Sequence, residues 1–96
     1  MKKLLIVLLM LPSIAFALPC DYLAEIAGGA MSYSQIEKPF IDAYKTTEGM
    51  TKKERNFVKE ILLDAYQTKP GKTQEDKDRI IHEFKNKYTM ECVKNE

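Results

Sequence analysis

The chain has 96 residues, of which 30% are charged and 45% hydrophobic, with two cysteines and no tryptophan. Fifteen Lys and Arg face fourteen Asp and Glu, for a formal net charge of +1. So even a balance offers neither the clustered basic surface that nucleic acid requires nor a polybasic run suited to anionic lipid.

Met1-Lys2-Lys3 is a short positive opening, and Leu4 to Leu11 is an unbroken apolar run. Pro12 and Ser13 interrupt it, and Ala15-Phe16-Ala17 sets small residues at the two positions a signal peptidase reads. This is the tripartite pattern of a secretory signal, with cleavage after Ala17 leaving Leu18 first. The competing reading, an uncleaved membrane anchor, needs roughly 20 apolar residues, more than the run supplies even when extended to Leu18. Lipidation at Cys20 is disfavoured, because Pro19 and Ala17 stand where a lipoprotein site carries a small residue and a Leu-like one. The expected organisation is a cleaved leader over residues 1–17 and one domain over residues 18–96, delivered to the periplasm or the medium without a stable membrane anchor. Loss of Lys2 and Lys3 leaves 13 basic and 14 acidic residues, a net charge of −1.

A domain of this size buries only about 60% of its unfolded surface and is marginal without a staple. Cys20 and Cys92 lie near opposite ends of the exported chain, and an even cysteine count in a short exported protein reads as a disulfide. Closing so long a loop contributes about 4 kcal/mol on the chain-entropy estimate. Metal binding is the alternative, but two cysteines and the single His82 fall short of a ligand set at any recognised spacing. Redox catalysis would want a Cys-x-x-Cys pair, which is absent.

The first helix is expected from Asp21, as its N-cap, to about Tyr33, with Leu23, Ile26, Ala27, Ala30 and Met31 recurring at helical spacing. Gly28 and Gly29 in mid-helix cost about 1 kcal/mol each relative to alanine. Close approach of another helix is the simplest compensation, and a hinge is the alternative. Ser32 to Lys38 reads as a turn. Pro39 then suits the first turn of a short second helix facing inward with Phe40, Ala43 and Tyr44. Thr46-Thr47-Glu48-Gly49 ends it, Gly49 being fitted to a left-handed position.

Thr51 with Glu54 three residues on is a capping box. Phe57, Val58, Ile61, Leu62, Ala65 and Tyr66 follow as one amphipathic face, stopped by Lys69-Pro70-Gly71. Thr73 caps the last helix, with Glu75, Asp76 and Asp78 near its positive end. Ile80, Ile81, Phe84, Tyr88 and Cys92 share one side. The predicted fold is an all-α antiparallel bundle of about four helices, three long and one short, with one disulfide joining the chain ends.

No nucleophile elbow, phosphate loop, paired metal ligands or calcium loop is present. His82 falls beside Ile81 at the edge of an apolar face, with no nucleophile and carboxylate arranged around it. Neither catalysis nor a cofactor or metal is therefore expected. Five tyrosines, Tyr22, Tyr33, Tyr44, Tyr66 and Tyr88, fit a thin core whose rings pack while their hydroxyls reach water. They also fit an interface, where Tyr is enriched. Tyr33 and Gln35, in the polar run Ser32-Tyr33-Ser34-Gln35, are expected at the surface and are the candidate partner-binding residues.

Cys20, an Ala-rich first helix with Ala27 ending in Met31, the pair Ala65-Tyr66, Phe84 and Cys92 together resemble a largely uncharacterised group of small exported helical proteins of gram-negative bacteria and their phages. That likeness spans nearly all of the mature chain and implies a helical fold and a periplasmic destination. The group often carries Arg-Gln-x-Gly after its first helix; here Gln35 matches, Ser34 replaces the Arg and Glu37 the Gly. The chain is more loosely similar to acid-stress chaperones of the periplasm, whose cysteines are closer together, and to periplasmic immunity proteins. The function expected is an envelope factor that binds a protein partner, of inhibitor or immunity type; the alternative is an acid-stress chaperone.

Overall fold

The computed structural model describes residues 19–95, so the expected leader and its expected cleavage residues Ala15, Ala17 and Leu18 lie outside the described residues. Among these the chain forms four helices and no strand: α1 (Cys20–Gln35), α2 (Phe40–Lys45), α3 (Lys52–Ala65) and α4 (Gln74–Lys94). The architecture is the one expected, three long helices and one short, and α1 touches all the others.

α1 opens on Pro19, whose carbonyl accepts the first helical hydrogen bond from Leu23 N at 3.0 Å. Asp21 is not the N-cap: it sits inside the first turn, where its carboxylate meets the positive end of the helix. Leu23, Ala27, Ala30 and Met31 are buried, as their spacing predicts. The helix runs two residues beyond Tyr33, into the stretch that reads as a turn, because the polar residues there find partners elsewhere in the fold. Ser34 Oγ donates to the Ala65 carbonyl at 3.1 Å, and the Gln35 side chain is buried. α1 then closes in a Schellman arrangement, with Glu37 N donating to Ser34 O and Lys38 N to Tyr33 O, both at 3.0 Å. This closure needs a left-handed residue at position 37, and Glu37 holds φ 60° there. A non-glycine residue pays a steric cost in this conformation.

The two glycines of α1 differ. A Cβ on Gly28 would come within 2.9 Å of Lys85 Cδ, so the aliphatic stem of Lys85 lies directly across the helix. The space that Gly28 leaves is thus taken by a side chain of the last helix rather than by its backbone. Gly29 is exposed, and a Cβ there would meet nothing within 4 Å; among the described residues no contact offsets its cost of about 1 kcal/mol.

α4 returns antiparallel along α1 and is held at both ends. At one end Cys20 and Cys92 form the disulfide, with 5.6 Å between their Cα atoms and a sequence separation of 72. At the other, Lys77 Nζ donates to the Gln35 carbonyl at 3.1 Å. Thr73 caps α4, its Oγ1 accepting from Asp76 N at 3.1 Å. Phe84 is buried, and Ile80, Ile81, Tyr88 and Cys92 pack against the core.

α3 begins with the expected capping box: Thr51 Oγ1 accepts from Glu54 N, and Glu54 Oε1 accepts from Thr51 N. Val58, Ile61, Leu62 and Ala65 are buried. The helix ends at Ala65, before Lys69-Pro70-Gly71, and continues only as single turns from Gln67 N to Asp64 O and Thr68 N to Ala65 O. α2 has Pro39 at its N-cap, and its Phe40 meets the Tyr66 ring edge-on at 5.3 Å. The link to α3 turns on Thr47, which is fully buried. Its Oγ1 donates to Tyr44 O at 2.7 Å and accepts from Arg55 Nε at 3.2 Å. Gly49, at φ 92°, supplies the left-handed turn before α3.

Two outcomes follow. Reducing the disulfide, or replacing both Cys20 and Cys92 with serine, should cost about 4 kcal/mol, a large part of the stability of so small a domain; equal melting with and without reductant would refute the staple. Glu37→Gly should stabilise the fold by up to about 1 kcal/mol by relieving the left-handed strain, read as a higher urea midpoint at unchanged m-value.

Candidate functional site

The sequence places apolar and small residues on more of α1 than α3 and α4 cover. Tyr22, Ile26, Gly29, Ala30 and Tyr33 recur at helical spacing on the side that faces the loop between α2 and α3. Across from them stand Met50, Phe57, Val58 and Leu62. Together they form a groove of two adjoining hollows that share Ile26, Met50 and Val58. The hollow toward Tyr33 encloses about 170 Å³ and the one toward Tyr22 about 10 Å³.

The groove exists because α2 is short. Its six residues pack on the Tyr66 end of α3, and the chain between Thr46 and Met50 makes only turns. Gly29 forms part of the wall, where the absence of a side chain leaves the α1 backbone open to approach. Tyr22 is 46% exposed at one end. Tyr33 stands at the other, half-buried, with Lys38 Nζ 5.5 Å from its ring centroid. The carboxylates at the groove are Glu25 and Glu54.

Of the two candidate contact residues, Tyr33 lines this groove and Gln35 does not. Gln35 is 1% exposed. Its Oε1 accepts from Gly71 N at 2.8 Å, its Nε2 lies 3.5 Å from Met31 Sδ, and its carbonyl accepts from Lys77. The expectation that Gln35 is a surface contact is corrected: it ties α1 to the α3–α4 loop and to α4. Removing its carbonyl oxygen would strand the Gly71 N–H at about 1–3 kcal/mol, the cost of an unpaired buried donor. Gly71 accepts no side chain in return, since a Cβ there would meet Asp76 Cβ at 2.7 Å. Hydropathy alone puts a Gln among turn residues outside; only the position of Gly71 brings it in.

His82 is exposed, with Nε2 3.5 Å from Asn86 Nδ2. Among the described residues no group of three or more His, Cys, Asp or Glu could hold a metal ion, and no helix is long and apolar enough to cross a membrane.

No protein-family model, curated protein or solved structure matches this chain. The groove is accordingly judged on its own geometry.

A polar cluster that the sequence pattern does not mark joins α3 to α4. Asp64 accepts from Lys87 Nζ at 2.8 Å and from the Tyr88 hydroxyl at 2.7 Å. Lys87 also lies over the rings of Phe84 and Tyr88, at 4.9 and 5.3 Å. The Lys87 hydrogen bond, against some desolvation and with help from Tyr88, holds the Asp64 carboxyl below the usual range. Burial first, then donation to Asp64, pushes the Tyr88 phenol above its ordinary value. A strongly raised phenol is a poor nucleophile at neutral pH, and the cluster reads as a brace between helices. Tyr66 is raised mainly by burial and secondarily by Asp42; its hydroxyl donates to the Lys38 carbonyl at 2.6 Å.

The pH consequence has two signs. Asp64 is depressed in the fold, so its contribution is present above the ordinary carboxylate range and lost as pH falls through the lower folded value. Tyr88 is raised, so its contribution is present below about pH 10 and lost as pH rises beyond it. With Asp64 37% and Lys87 53% exposed, solvent screens the pair. Asp64→Asn should therefore cost only about 1 kcal/mol at neutral pH and flatten the acid limb of a urea-midpoint profile, whereas Tyr88→Phe should flatten the alkaline limb. An acid limb unchanged in Asp64→Asn would show that the brace carries no stability.

Proposed function

We propose that the protein is exported by its N-terminal leader and works in the periplasm of a gram-negative cell, or outside it, as a factor that binds a protein partner, of inhibitor or immunity type. The disulfide is compatible with such an oxidising compartment. The observation that carries the binding reading is the groove beside α1: an apolar hollow of about 170 Å³ lined by Tyr33, Ala30, Met50 and Leu62, with the exposed Gly29 in its wall. A tyrosine at the edge of such a hollow supplies contact area with little rotamer entropy to lose. No arrangement of nucleophile, base and oxyanion donors accompanies it, which favours recognition over catalysis.

Acid-stress protection is the second reading, and the Asp64 brace favours it. Protonation at low pH would remove the ionic part of the α3–α4 tie, in a chain whose carboxylates are nearly as numerous as its cations.

The first reading is checked by expressing the full-length chain with a photo-crosslinking amino acid in place of Tyr33 and irradiating intact cells. One discrete adduct of constant size is expected, absent when the crosslinker replaces exposed Arg79 on α4. The intact mass of the recovered protein should correspond to a chain starting at Leu18 with Cys20 and Cys92 oxidised. No adduct at Tyr33, together with suppression of client aggregation at about pH 2–3, below the reference carboxylate values, would favour the chaperone instead.

A further inference from the structure

We propose that the groove takes a basic amphipathic helix of the partner protein, seated where a longer second helix of this bundle would lie, with its positive residues facing Glu25 and Glu54. This rests on the protein-binding reading above and names the chemistry of the partner.

The first support is length. α1 has 16 residues and α3 has 14, whereas α2 has six. At about 1.5 Å per residue, α2 spans roughly 9 Å of a seam that the long helices extend over more than 20 Å. The open stretch of α1 from Tyr22 to Tyr33 is about three helical turns, or roughly 17 Å by the same rise. A helix is the element that fits, because the wall offers rows at helical spacing, Tyr22, Ile26, Gly29 and Tyr33, of the kind that receive the ridges of another helix.

The second support is Gly29. It weakens α1, and among the described residues nothing uses the space it leaves. A missing side chain in a groove wall leaves room for a partner's atoms against the α1 backbone, as the neighbouring Gly28 leaves room for the Lys85 side chain.

The third support is charge. Glu25 and Glu54 both stand at the groove, and none of its lining residues is Lys, Arg or His, although the chain carries fifteen Lys and Arg. One Glu54 oxygen is committed to the capping box; Glu25 is exposed. The cation placed at the seam, Lys38, lies at the far end over Tyr33. The lining charge is therefore acidic in both hollows, Glu54 in the one toward Tyr22 and Glu25 in the one toward Tyr33. A helix with an apolar stripe flanked by Lys or Arg complements the groove in sign and shape.

The test uses the protein purified after export of the full-length chain, isotopically labelled, with its disulfide intact. Two synthetic 18-residue amphipathic helices of identical leucine pattern, one with lysines and one with glutamates on the polar face, are titrated while the backbone amides are followed by NMR. The lysine peptide should saturably shift the amides of Ile26, Gly29 and Tyr33, and the glutamate peptide should bind at least tenfold more weakly. Glu25→Lys should narrow or reverse that preference. Gly29→Leu should weaken the lysine peptide at least tenfold while leaving the melting temperature equal or higher, a combination that misfolding cannot produce. Equal binding of both peptides, shifts confined to α4, or indifference to Gly29→Leu would each overturn the proposal. So would groove shifts that follow protein concentration alone, which would assign the face to a second copy of this chain. A discrete Tyr33 adduct in cells without lysine-peptide binding would leave the protein-binding reading standing and remove only the basic helix.

Discussion

The fold depends on the antiparallel contact of α1 with α4. A helix as small-sided as α1 has little side-chain volume with which to hold a neighbour. It compensates by closeness: Gly28 admits the stem of Lys85, and Ala27 lies fully buried beside it. Close contact alone does not fix register, and each end of the pair has its own device. At one end this is a covalent bond, Cys20 to Cys92; at the other it is the Gln35 carbonyl receiving Lys77. α3 lies on the resulting pair, through Ser34 on the α1 side and the Asp64 brace on the α4 side.

Polar groups do much of the specifying in this molecule. Gln35, Ser34 and Thr47 are buried, and each side chain has a partner. Among the described residues no buried side-chain nitrogen or oxygen lacks one. A thin apolar core tolerates several packings of similar free energy, whereas a buried amide or hydroxyl accepts only the arrangement that satisfies it. The α1 terminus, the α2–α3 link and the α3–α4 loop are positioned in this way. The cost is carried locally, as at Glu37, whose left-handed backbone the Schellman closure demands.

The groove follows from the same economy. A chain that spends six residues on its second helix leaves the α1–α3 seam uncovered over several turns, and the residues there are not converted to charged ones as a solvated helix face would be. Tyr22 and Ile26 remain, and Gly29 forgoes the stability that alanine would contribute. Local weakening with no internal return is where stability and function trade against each other.

Helix number, the short second helix, both threonine caps and the inward faces of α3 and α4 were legible in the residues, since capping and periodicity are local properties of the chain. The disulfide was legible too, because the two cysteines fall at the ends of helices that an antiparallel arrangement brings together. The N-cap of α1 was misplaced at Asp21, and its C-terminus at Tyr33. A polar run reads as a turn unless a distant group receives it, and Ser34 and Gln35 are received by Ala65 and Gly71 across more than 30 residues. Tyr33 and Gln35, neighbours in sequence with the same apparent exposure, were parted by the fold, one to the groove wall and the other to the interior. The sequence by itself determined which segments are helical and which faces are apolar. Only the tertiary structure decided which apolar face stays uncovered, because that depends on how far a six-residue helix reaches along a neighbour of sixteen.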